Sequence, residues 1–258
     1  MSAAQPGWLT ARPIAHRGLH DRMHHVIENS VAAADAAIAR DFAIECDVQL
    51  SADAEAMVFH DFTLERLTAA QGRVDAMSAR ALGELVLKGA ADRIASLPDF
   101  LSRIEQRTPL VCEIKSRFDG DMRLGERTAH CAAAYGGPIA LKSFDPQVIA
   151  HLQKNRARLG LGHIPLGMIA QAGFDDPADE WAHLSRLEKR ALVHFLHWRE
   201  TQPDFLSWSV NDFPHAVPFL CRAGLGLPVI TWTVRTPEQV AIALEWADQI
   251  IFEGDVAG

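Results

Sequence analysis

Short apolar runs alternate with longer helix-like stretches along nearly the whole chain, and few architectures accommodate such a pattern. The runs lie at 13–16, 43–50, 56–60, 109–115, 139–144, 165–170, 205–210, 229–234 and 249–252. Strand-sized runs joined by helical patterns mean βα units and a parallel sheet. Helix starts are marked by a capping residue before proline at Asp145-Pro146, Asp176-Pro177 and Thr236-Pro237, and by Asn29 or Ser30 before an alanine-rich stretch at 31–40. With 258 residues, the chain matches the length of a (β/α)8 TIM-type barrel forming a single domain over 1–258.

Nine runs are one more than such a barrel uses. The link at 51–55 is too short for a crossover helix, so either one of the runs it joins pairs irregularly or a later run lies outside the barrel. Residues 61–95 have weak periodicity and turn-like positions at Gln71-Gly72, Gly83 and Gly89, which reads as a small insertion after the third strand. A formal net charge of −8 argues against nucleic acid as a partner, because binding its backbone needs a basic surface. It is compatible with a small anionic substrate, since local cations can invert the field in one cleft. No signal-peptide pattern opens the sequence, and no run approaches the ~18 apolar residues of a membrane span. Cys46, Cys112, Cys131 and Cys221 show no CxxC spacing, and the first two read as reduced core thiols. The expected setting is cytoplasmic.

Ionisable residues stand at the ends of the first four runs. These are His16-Arg17-Gly18, then Glu45 and Asp47, then His60-Asp61, then Glu113 and Lys115. Barrel active sites form where strands end and βα loops begin. Residues i and i+2 of a strand share a face, so Glu45 points with Asp47 and Glu113 with Lys115, while Cys46, Val48 and Ile114 point to the outer layer. Converging buried carboxylates are costly unless paired or metal-bound. An all-oxygen set suits Mg²⁺ or Ca²⁺ better than Zn²⁺. Lys115 is placed to clamp a phosphate oxygen, and two histidines offer an acid and a base near neutral pH. A buried salt-bridge network of Glu45 and Asp47 with Arg17 and Lys115 is the plainer reading of the same residues, and Glu113 tips the charge against it.

Taken in order, His16-Arg17-Gly18, Glu28-Asn29-Ser30, Glu45-x-Asp47-Val48, His60-Asp61 with Thr63-Leu64-x-Arg66-x-Thr68, Glu113-Ile114-Lys115, Ser143-Phe144 and Trp232-Thr233-Val234 resemble successive blocks of the glycerophosphodiester phosphodiesterases. The likeness spans essentially the whole chain. It implies hydrolysis of glycerophosphodiesters to glycerol 3-phosphate and an alcohol, with a divalent cation as cofactor. By position, it implies His16 and His60 as the acid/base pair and Glu45, Asp47 and Glu113 as metal ligands. Arg17 and Lys115 would hold the phosphate, Glu28 would sit next to the metal or glycerol, and Trp232 would wall the pocket. The family usually reads Gly-Ile-Ile-Thr-Asp near its last strand, where this chain has Gln249 to Asp255.

The runner-up within the fold is a barrel phospholipase acting on lysophospholipids. A non-catalytic glycerophosphodiester-binding protein would not need the histidines. A metal-dependent lyase-like barrel lacks support from the Arg-Gly and Glu-Asn blocks. His20, His24 and His25 form a loop cluster read as solvated rather than as a second metal site.

Overall fold

The computed structural model describes residues 7–174 and 181–256, so the helix start expected at Asp176-Pro177 lies outside the described residues. Each apolar run becomes a strand: β1 (Ile14–Ala15), β2 (Ala43–Leu50), β3 (Ala56–Val58), β4 (Leu110–Ile114), β5 (Ile139–Ser143), β6 (Leu166–Ala170), β7 (Phe205–Ser209), β8 (Val229–Val234) and β9 (Gln249–Phe252). Their order is β1-β9-β8-β7-β6-β5-β4-β2-β3, and β1 also pairs with β2. Leaving out β3, this is a closed barrel of eight parallel strands with helices between them.

β3 accounts for the surplus run. It is antiparallel to β2, with Val48 opposite Val58 and Leu50 opposite Ala56. Five linking residues allow only a tight reversal. That turn is held by the Ser51 hydroxyl, which donates to Asp53 and accepts from the Glu55 backbone N–H. β2 therefore overshoots its neighbours, and β3 brings the chain back down to the barrel mouth. His60 follows this returning arm, rather than standing at the end of a barrel strand as the run order suggests.

Capping behaves as the sequence predicts. Ser30 caps the helix Val31–Ala39, Asp145 caps Pro146–Lys154, and Thr236 caps Pro237–Trp246 while its backbone N–H donates to the Gln239 side chain. The helix Arg186–Val193, rich in charged residues, buries only Leu192. Outward-facing strand residues, among them Cys46, Val48, Cys112, Ile114 and Leu141, pack under the helices in the main core. Inward-facing Ile14, Ala43, Val111, Ala140, Phe205, Ile230 and Ile251 join Leu9 in an apolar plug inside the barrel. The Phe205 ring lies across Gly167, where a Cβ would come within 2.2 Å of it, so only glycine fits beside that ring. A third cluster (Met57, Phe59, Leu64, Leu67, Val74, Leu82, Leu87, Ile94, with Ile27) lies along the 57–94 segment. All four cysteines are buried and free. Among the described residues, no helix is long and apolar enough to cross a membrane.

Candidate active site

Above the apolar plug, inward positions turn polar, and strand register sets charged residues side by side. Asp47 of β2 is level with Glu113 of β4, and Glu113 is level with Lys142 of β5. Glu45 lies two residues below Asp47 on the same face. One carboxylate oxygen from each of Glu45, Asp47 and Glu113 lies within 4.8 Å of the others, and all three residues are buried.

Three lysine and arginine side chains hold this group. Lys115 Nζ is 2.6 Å from Glu113 Oε1 and 3.0 Å from Asp47 Oδ1. Lys142 Nζ is 3.0 Å from Glu45 Oε1 and 3.7 Å from Glu113 Oε2. Arg17 Nε is 3.3 Å from Asp47 Oδ2, and the Arg17 backbone N–H donates to Glu45 Oε2 at 3.1 Å. Burial opposes the Asp47 charge, yet Lys115, His60 and Arg17 hold its carboxyl well below the usual carboxylate range. Burial likewise opposes the Lys115 charge, and Asp47 and Glu113 push its pKa up. The Asn29 amide donates to Asp47 Oδ2 at 2.9 Å and accepts from the Asp47 N–H at 3.1 Å, fixing the carboxylate's plane.

This set fits a hard divalent cation. Its donors are all carboxylate oxygens converging at one point. Glu45 Oε1 and Asp47 Oδ1 are buried without a hydrogen-bond partner, each meeting its lysine as an ion pair rather than as an aligned hydrogen bond. Each therefore keeps acceptor capacity.

The two histidines flank the carboxylates, and each is steadied through Nδ1. His16 Nδ1 lies 2.5 Å from Glu253 Oε1, with its Nε2 3.9 Å from Glu45 Oε2. Glu253 also accepts from Arg235 Nε at 2.7 Å. Although burial opposes its charge, these two partners keep its carboxyl far below the ordinary range. His60 Nδ1 lies 2.7 Å from Asp61 Oδ1, and its carbonyl accepts from Gln49 at 2.8 Å. Asp61 leads on to Arg66 at 2.5 Å, and Arg66 to Glu28 at 2.7 Å. Glu28 returns to Arg17 at 2.5 Å. Burial works against the Glu28 charge, and bonds from Arg66 and Arg17 bring its pKa down to about 2.

The structure thus brings His16, Arg17, His60, Glu113, Lys115 and Trp232 together around a cavity of about 280 Å³. Trp232 donates its indole N–H to the Ser207 carbonyl at 3.0 Å, which fixes the ring as a wall. Glu28 does not line that cavity; it serves as the joint between Arg17 and Arg66. Sequence reasoning passed over Lys142, Asn29 and Glu253. Lys142 had a signal, since a lysine two residues before Phe144 in an apolar strand shares its inward face. The loop histidines do not converge: His24 bonds Asp21, His25 bonds the Gly89 carbonyl, and His20 approaches Glu253 at 4.0 Å.

Gly18 places Arg17. It adopts φ +78°, and a Cβ there would lie 2.8 Å from the Ala33 backbone at the start of the first barrel helix. Gly18→Ala is expected to cost at least about 2 kcal/mol, combining left-handed strain with a backbone clash. Urea denaturation checks this, and a loss under about 0.5 kcal/mol would mean the loop moves freely.

Residues 16–253 match the glycerophosphoryl diester phosphodiesterase family. A glycerophosphodiester phosphodiesterase from Caldanaerobacter subterraneus subsp. tengcongensis is 28% identical over 237 residues, 88% of this chain and 87% of that protein. An Oleispira antarctica phosphodiesterase, solved with the product sn-glycerol-3-phosphate, shares the fold at a TM-score of 0.69 and 19% identity, over 95% of this chain and 92% of that one. A glycerophosphodiester phosphodiesterase from Parabacteroides distasonis aligns at a TM-score of 0.70 and 16% identity, over 93% and 92%. The match spans the barrel from His16 after its first strand to Glu253 after its last, and the chain belongs to the glycerophosphoryl diester phosphodiesterase family.

Proposed function

We propose that this chain hydrolyses glycerophosphodiesters to glycerol 3-phosphate and an alcohol, with Glu45, Asp47 and Glu113 holding a divalent cation, Mg²⁺ or Ca²⁺. The observation that carries the reading is the buried carboxylate triad, whose Glu113 reaches the cavity that His16 and His60 also line. Family membership and the product-bound Oleispira relative support it. When bound, the cation supplies charge neutralisation at a non-bridging phosphate oxygen.

The remaining work falls to the protein's own groups. Arg17 and Lys115 face the phosphate charge from the cavity wall, and Lys142 adds a third cation that the sequence argument left out. One histidine takes the proton from the nucleophile, which is either water, giving glycerol 3-phosphate directly, or the glycerol hydroxyl beside the phosphate, giving a cyclic phosphate that water then opens to glycerol 3-phosphate. The other gives a proton to the departing alkoxide. Glu253 and Asp61 each accept from a ring Nδ1–H in this scheme, which leaves each Nε2 for proton transfer. Gln171, Ser209, Asn211 and Arg235 line the same cavity and suit the glycerol hydroxyls. Residues 61–95 act as a small insertion in a single domain, delivering Arg66 to Glu28 at the rim.

The test is release of glycerol 3-phosphate from glycerophosphocholine and glycerophosphoethanolamine with Mg²⁺, Ca²⁺ or Mn²⁺, and with EDTA. Cation-dependent release that EDTA abolishes is the expected result. Undiminished release in EDTA would remove the cation from the mechanism, and no release with any cation would remove the activity.

A further inference from the structure

Beside the catalytic cavity lies a second one of about 490 Å³, sharing with it Glu113, Lys115, Phe144 and Trp181. Beyond that shared wall the two differ. The catalytic cavity continues into hydroxyl, amide and guanidinium groups, whereas the second adds the rings of Phe62 and Phe118 beside Ser116, Arg117, Asp119 and His183. Phe118 and Phe144 pack against Trp181 at 5.5 and 4.8 Å between centroids, and Phe144 meets Trp232 edge-on at 5.5 Å. An aromatic wall therefore runs unbroken from the candidate catalytic site into the second cavity.

Charge in that cavity cancels. Glu113 and Asp119 face Lys115 and Arg117. Arg117 is already engaged, lying over the Phe62 ring at 4.3 Å and 3.7 Å from Asp75. A quaternary ammonium would gain from aromatic faces, but with the lining charges balanced it meets no net negative field to offset its desolvation. A neutral apolar group meets the same rings without that cost.

We propose that the second cavity is a subsite for the alcohol side of the diester and favours a neutral, apolar alcohol. This rests on the hydrolysis proposed above and deepens it to a substrate class. A series of glycerophospho-alkyl diesters tests it, because ethyl, butyl and hexyl alcohols are chemically matched leaving groups that differ in apolar length. With each methylene about half buried, the expected gain in kcat/KM is about twofold per methylene, so about 16-fold from ethyl to hexyl. The hexyl diester is expected to exceed glycerophosphocholine. Phe118→Ala and, separately, Phe62→Ala should each reduce the hexyl-to-ethyl ratio to about fivefold or less. A flat chain-length profile, a preference for the choline ester, or an unchanged ratio in both variants would overturn the subsite while leaving the hydrolase reading intact. Should no diester be cleaved, the hydrolase reading itself fails, and the subsite is then read by calorimetry with hexyl and ethyl phosphate. Tighter hexyl binding that weakens in the variants supports it, and equal affinities overturn it.

Discussion

Removing the imidazole of His16 or His60 by alanine is expected to lower kcat by about 10²–10⁴-fold, the range for loss of a positioned acid or base. Divalent-cation affinity, measured by calorimetry, should change little, because neither ring belongs to the carboxylate triad. Glu45→Gln should weaken cation binding and turnover together. His16 approaches Glu45 only at 3.9 Å, so its loss removes proton transfer without dismantling the triad. Near-normal turnover by either alanine variant would remove that histidine from the acid/base pair. A large loss of cation affinity in His16→Ala would instead make the ring part of the ion's environment.

Lys142→Met is expected to destabilise the protein by about 3 kcal/mol when unfolded by urea in EDTA, the cost of leaving one member of a buried ion pair alone. Both partners are almost fully enclosed, Lys142 at 2% and Glu45 at 0% exposure. Burial opposes the Lys142 charge, and Glu45 with Glu113 pushes its pKa up. Adding Mg²⁺ at about a hundred times its dissociation constant should return about 2.7 kcal/mol, through binding to the folded state alone. A loss under about 1 kcal/mol in EDTA would show that the pair contributes little to folding. A full loss that Mg²⁺ fails to relieve would show that the freed carboxylate does not take a cation.

The barrel was legible because its information is local. Strand-sized runs, proline-marked helix starts and inward alternation of Glu45 with Asp47 are all read within a few residues. The direction of β3 was legible in part, since the five residues at 51–55 limit the connection without saying which run leaves the barrel. What stayed hidden depends on distant pairing. Glu253 meets His16 across 237 positions in sequence, and no local pattern links them. That residue stands in the segment that departs from the family's usual last-strand pattern, so comparison by motif drew attention away from it. Glu28 shows the opposite case: its motif marked it for the ligand side, while Arg17 and Arg66 engage it in the structure. Lys142 looked like one polar residue in an apolar strand, and only the register across β4 and β5 shows it beside Glu113.

The returning arm β3 makes two kinds of durability separable in this protein. His16 is tied into the closed cylinder through its backbone bond to Phe252. His60 follows a three-residue strand whose full ladder is with β2, its other edge meeting only Ser96 through Met57 and the Ala95 carbonyl through Val58. Local opening events release short, one-sided elements well before a closed ring of strands. Fraying of this arm would draw one imidazole away from the other while circular dichroism still recorded an intact barrel. The temperature at which the site comes apart would then fall below the temperature at which the fold melts.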